Sequence, residues 1–138
     1  MENYFALRLR EDDIRAISSI GLAHLGDAVY ELLVRAYLCA QGKATGRGLH
    51  RAAVELVKAP AQARLADKIL PRLTAEELAV FKRGRNANVN TIPHSASRSD
   101  YLKATALECL FGYLYLQGAT GRINELFNAM MEVTSDAT

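Results

Sequence analysis

The sequence predicts an all-α fold, organised as one domain over residues 1–138 with its core in about 14–133. Three observations carry this. Apolar residues recur at helical spacing along the chain, and no run of alternating β-branched and aromatic residues is bounded by turns. Capping and stopping residues divide the chain into helix-length pieces. The 138 residues, half of them apolar and only 3 proline, suffice for a core without a disulfide or metal staple. Internal repeats, linkers and low-complexity segments are missing.

The elements follow from these signals. A short helix is expected over 11–18. Ser19 is placed to cap the next, which runs to about Gln41 and stops at Gly42. The glycine-rich stretch QGKATGRG is a turn, and a helix follows over roughly 47–58. Pro60 sits in the first turn of another helix, which reaches about Leu70 and ends at Pro71. Thr74 and Glu77 have capping-box spacing for a helix over 75–86. Residues 87–97 form a polar loop. Ser97 or Ser99 caps a long helix to about Gln117, with Gly118 just past its end. Thr120 caps a last helix to about Val133, and the tail TSDAT is expected to fray.

Charge is uneven along the chain. The net charge is only +2, but residues 43–103 hold 12 Lys and Arg against 5 Asp and Glu, a local net of +7. The remainder holds 5 against 10, a net of −5. A basic middle between acidic ends fits an anionic partner, or else a plain solvated helix surface. Cys39 and Cys109 lie far apart in apolar surroundings without zinc spacing, so both read as buried, reduced thiols. The start MENYFALRLRED is too charged for an export leader, and every apolar run is interrupted by a polar or charged residue. A cytoplasmic protein outside the membrane is the expectation.

Two helices, 19–41 and 99–117, read as nearly apolar all round, and such helices sit in the middle of a fold or against another subunit. Each carries a lone inward acid: Asp27 within HLGDAVYELL, and Glu108 within TALECLFGYLYL. A buried, unpartnered charge is costly. If the helices pack side by side, the two carboxylates face each other and repel, and a divalent cation would relieve both charges. Oxygen donors without nearby Cys or His favour magnesium or manganese. The competing reading is structural pairing: Asp27 with a backbone N–H or an Arg, Glu108 with Lys103, Arg35 or Arg122. The small residues Gly21, Ala23, Gly26 and Ala28 let another helix come close, and Leu22, Leu25, Val29 and Tyr30 offer apolar surface beside them.

HLGDAVYELLVRAYL resembles the signature helix of the ribonuclease III catalytic domain, and TALECLFGYLYLQG resembles its second acidic helix. With FKRGRNAN at 81–88, the likeness is greatest to the short form, Mini-ribonuclease III, which lacks the double-stranded-RNA-binding domain. It covers roughly residues 14–130. The resemblance implies a dimeric, all-helical endoribonuclease that hydrolyses double-stranded RNA with Mg2+, or Mn2+, and leaves 5′-phosphate and 3′-hydroxyl ends. It places the metal ligands and catalytic carboxylates at Asp27 and Glu108. It also implies a role in maturing the large-subunit ribosomal RNA precursor, with a ribosomal protein as helper. Longer family members carry two further acids, one turn before each of these positions. Here those positions hold Ala23 and Thr105, as in the short form, so water or another residue such as Glu31 would complete the site.

Lys82, Arg83, Arg85 and Asn86 fall at a helix end beside a polar loop, and A-form duplexes are read by shape and backbone. They are the first RNA-binding candidates. His94, Arg98 and Lys103 extend the track, with Arg47, His50 and Arg51 on the helix 47–58 as further candidates. The signature helix is expected to contribute to a dimer interface, with His24 in it or in packing. The alternative reading is a catalytically silent module that binds structured RNA through the same basic surface.

Overall fold

The structure is a computed structural model and describes residues 1–87 and 97–132. Seven helices follow one another: α1 (Glu11–Arg15), α2 (Ser19–Ala40), α3 (Gly46–Val57), α4 (Ala59–Ile69), α5 (Ala75–Arg85), α6 (Arg98–Leu116) and α7 (Thr120–Met131). A 3-10 turn, Leu70–Arg72, links α4 to α5. No strand occurs among the described residues, as expected for an all-α chain.

The axis of the fold is α6. It buries residues on every side, among them Leu107, Leu110, Phe111 and Leu114, and packs against α2, α4, α5 and α7. A helix apolar all round belongs in such a position. The other helix with that composition behaves differently. α2 buries one stripe, Leu22, Ala23, Gly26, Tyr30, Val34 and Leu38, and leaves the large apolar residues Ile20 and Leu32 exposed on its outer side. Composition alone does not say how many faces find a partner within the chain.

Tyr30 shows how tightly α2 is seated. Its ring is fully buried, edge-on to Phe111 and Phe127 with centroids 6.0 and 6.2 Å away. Its hydroxyl donates to the carbonyl of Leu56 at 2.8 Å, so an otherwise costly buried polar group is paired. At the far side of the core, Arg122 of α7 donates to both carboxylate oxygens of buried Glu77 at 2.8 and 2.9 Å.

Most helix boundaries fall within a residue or two of expectation. Thr74 and Glu77 form the full reciprocal capping box at the start of α5. Three caps differ. Ser18, not Ser19, caps α2, accepting from the Gly21 N–H at 2.9 Å. Ser97 takes the cap of α6 by accepting from Asp100 N–H. Thr120 is the first residue of α7, and Ala119 precedes it without a side-chain cap. Adjacent serines offer chemically equal caps, and only the path of the preceding chain decides between them. α1 is also shorter than expected, ending at Arg15. The polar loop and the tail TSDAT lie mostly outside the described residues, as does His94.

Candidate active site

The site begins with two glycines. A Cβ added to Gly26 would overlap the backbone carbonyl of Glu108, and one added to Gly112 would overlap the carbonyl of Leu22. α2 and α6 therefore cross backbone to backbone, closer than any larger residue permits. Gly26 and Ala28 were read as slimming α2. The reciprocal part played by Gly112 was not read.

That crossing sets Asp27, the residue after Gly26, beside the side chain of Glu108. The two carboxylates are near enough for the charge of Asp27 to act on Glu108. Burial, and then the charge of Asp27, pushes the Glu108 carboxyl up to about 8. The expected juxtaposition is present, but the expected burial of Asp27 is not. Asp27 is exposed on the outer side of α2, and Glu108 is the half-buried member. The inward stripe of α2 runs through Gly26 and Tyr30, which turns Asp27 toward solvent at the edge of the crossing.

Structural ion pairs do not account for either acid. Lys103 is paired with Asp67 at 2.8 Å, Arg35 with Glu31 at 2.8 Å, and Arg122 with Glu77 and Glu125. None of the three reaches Glu108. Glu31, named as one residue that could complete the site or else pair on the helix surface, is thereby engaged with Arg35. Ala23 is buried in the core, and the buried hydroxyl of Thr105 donates to the carbonyl of Tyr101 one turn back at 3.0 Å. The partner Glu108 does have is Gln62 of α4, whose Nε2 donates to Glu108 Oε2 at 3.2 Å.

Among the described residues no group of three or more His, Cys, Asp and Glu converges. The donor set is two carboxylates. Hard, mutually repelling oxygens without imidazole or thiolate fit a divalent cation such as Mg2+ or Mn2+. The raised Glu108 carboxyl reflects burial first and the Asp27 charge second, and a cation would offset both. The residues present thus fit the group.

Beside Glu108 opens a pocket of about 610 Å³, whose walls include Lys58, Gln62, Arg64, Tyr101 and Thr105. Lys58, Gln62, Arg64 and Tyr101 were not singled out from the sequence, because no local motif marks them. Lys58, Gln62 and Arg64 reach the site because α4 packs against α6, whereas Tyr101 lies on α6 itself.

The basic candidates are placed as follows. Lys82, Arg83 and Arg85 occupy the exposed last turn of α5, and exposed Asn86 is its C-cap. Arg98 is the exposed first residue of α6. Lys103 is half-buried and held by Asp67. Arg83 borders a second pocket of about 640 Å³ with Glu11, Glu76 and Tyr113, which includes neither Asp27 nor Glu108. The thiols also separate: Cys109 is buried as expected, whereas Cys39 is exposed on α2. None of the described helices is long and apolar enough to cross a membrane.

Seven helices around a buried axis, with one acid from each of two crossed helices, define a class already known from sequence. Residues 21–119 match the ribonuclease III domain, and the chain belongs to that family, whose members are endoribonucleases. Its relatives narrow the branch. The Mini-ribonuclease 3 of Clostridium tetani is 36% identical over all of this chain and 93% of that protein. That of Symbiobacterium thermophilum is 44% identical over 78% of this chain and 83% of its own length. That of Brevibacillus brevis is 48% identical over 76% and 78%. In three dimensions the chain is similar to a crystal structure of a Fusobacterium nucleatum protein, with a TM-score of 0.78 and 34% identity over 86% of this chain and 97% of that one.

Proposed function

We propose that this endoribonuclease hydrolyses double-stranded RNA with Mg2+ held by Asp27 and Glu108, works as a homodimer in the cytoplasm, and trims a precursor of large-subunit ribosomal RNA, with a ribosomal protein as helper. The observation that carries the site is the carboxylate pair itself. Asp27 and Glu108 are forced together by a glycine crossing and have no cationic side chain between them among the described residues, and burial together with the charge of Asp27 pushes Glu108 up to about 8. A fold that needed only stability would gain from removing one of them.

When bound, the cation supplies charge neutralisation at the phosphate and lowers the pKa of a water. The chain's own groups do the rest. Exposed Asp27 presents its carboxylate to solvent, where a duplex can approach. Glu108 stays anchored through Gln62. Water attacks phosphorus, the bond to the 3′ oxygen breaks, and the strand ends become a 5′-phosphate and a 3′-hydroxyl.

Exposed cations at the end of α5, with Arg98, supply phosphate contacts that are individually weak and jointly salt-dependent. Lys103 is a poorer candidate than the sequence implied, since Asp67 already neutralises it. The dimer reading is supported by the outer face of α2. There Ile20, His24, Ala28 and Leu32 are exposed at helical spacing, an apolar strip that a second copy would cover. A dimer presents two sites to the two strands. An exposed free thiol, Cys39, is at home in a reducing compartment.

The test is cleavage of a long RNA duplex with Mg2+ by the wild type, Asp27→Asn and Glu108→Gln. Each variant should lose at least about 100-fold in rate while still binding the duplex. Cleavage that survives in both variants would overturn the site, and a wild type that binds without cutting would favour the silent RNA-binding module.

A further inference from the structure

Glu108 is held by a residue that neither the resemblance nor the comparisons assign. We propose that Gln62 is the positioning residue of the carboxylate pair. In this view it fixes Glu108 beside Asp27 so that a divalent cation meets a ready-made ligand rather than one that must first be ordered. The inference rests on the reading of Asp27 and Glu108 as cation ligands, and deepens it.

Gln62 is 3% exposed, and its Nε2 group makes two bonds. One goes to Glu108 Oε2 at 3.2 Å and the other to the carbonyl of Val57 at 2.8 Å. Val57 is the last residue of α3, where helix geometry leaves carbonyls without an intrahelical donor. The end of α3 therefore fixes the amide of α4, and the amide fixes the carboxylate of α6. A carboxylate next to a like charge would otherwise swing away. The N–H donated by Gln62 holds it in place instead.

The other half of the amide shows that packing is not the reason for a glutamine here. Its Oε1 is the buried side-chain polar atom left without a hydrogen-bond partner among the described residues. An unpartnered carbonyl costs stability that an apolar side chain of the same shape would not. The return is at Glu108. The acids that longer family members carry would stand at Ala23 and Thr105, yet Ala23 is a core methyl and the Thr105 hydroxyl is bonded to its own helix. Glu31 is held by Arg35. Gln62 is the polar side chain that reaches the pair from a third helix.

The test titrates Mn2+ alone into the full chain, with free ion followed by electron paramagnetic resonance, for wild type, Gln62→Met and Gln62→Asn, and with Asp27→Asn as the control that removes a ligand. Methionine keeps the length without a donor, and asparagine keeps the donor one methylene short of Glu108. Metal-free melting first establishes that each is folded, and either one alone suffices. A folded variant should bind Mn2+ about tenfold more weakly, as loss of a group that orients a ligand does. Duplex cleavage should show the matching split: a higher Mn2+ concentration at half-maximal rate, with the rate at saturation within about threefold of wild type. A folded variant with wild-type Mn2+ affinity overturns the role of Gln62 while leaving the ligand pair in place. A wild type that binds Mn2+ no better than Asp27→Asn overturns the ligand pair, and Gln62 with it.

Discussion

Glu108→Gln should stabilise the metal-free protein at alkaline pH and leave it unchanged in acid. In the folded chain the Glu108 carboxyl titrates near 8, and in the unfolded chain near the ordinary 4.5. Between those values the folded state holds a proton that the unfolded state has released. Stability is therefore present in full below the unfolded value and falls as pH rises through the folded one. The separation of the two values sets a ceiling of about 5 kcal/mol. Glu108 is only half-buried, and water relaxing around its charge reduces the expected loss to about 1–2 kcal/mol. Glutamine has the shape of the protonated carboxyl and no charge to repel Asp27. In chelator, the variant should melt about 5 °C above wild type near pH 9, given about 3–4 °C per kcal/mol for a chain of this size. Near pH 4 the two should coincide. The assay is thermal unfolding followed by circular dichroism across that range, with chelator present throughout. A difference constant from acid to alkali, or a variant less stable than wild type at pH 9, would refute the claim that Asp27 and burial load Glu108.

Three further outcomes are expected. Gly26→Ala should cost about 3 kcal/mol, read from the urea midpoint, because its methyl overlaps the Glu108 carbonyl and α2 must lift away from α6; a loss below about 1 kcal/mol would mean that the crossing is looser than described. Arg122→Met should cost about 2 kcal/mol near neutral pH by leaving buried Glu77 without its two guanidinium bonds. Arg122 holds Glu77 below the usual carboxylate range, so the difference should vanish as Glu77 protonates in acid. A thiol reagent should label exposed Cys39 in the native protein and reach Cys109 only on unfolding, since Cys109 is buried with its thiol pushed up to about 11; equal native rates would contradict that placement.

Much of the fold was legible because the signals are local. The Thr74–Glu77 capping box joins residues three apart, and its two bonds need nothing beyond the first turn of α5. The all-round apolar composition of α6 marks the axis of the core, since no solvent-facing stripe is left on it. Asp27 and Glu108 stood out as lone acids in apolar helices, a contrast visible in one dimension. The same contrast misled about burial. An acid in an apolar run looks enclosed, but α2 has an open outer face, and Asp27 lies toward it.

By itself, the sequence determined seven helices, their order, the two acids worth watching and, through its motif resemblance, the family. Each of these depends on neighbours within a turn or two, or on a pattern shared with relatives. Tertiary structure alone decided which acid is exposed, that Gly112 answers Gly26 from 86 positions along the chain, and that Gln62 rather than Glu31 or Thr105 holds Glu108. Those facts arise where α2, α4 and α6 meet. Hydrogen bonds and backbone overlap act over a few ångströms, and residues far apart in sequence come within that range only when the chain has packed.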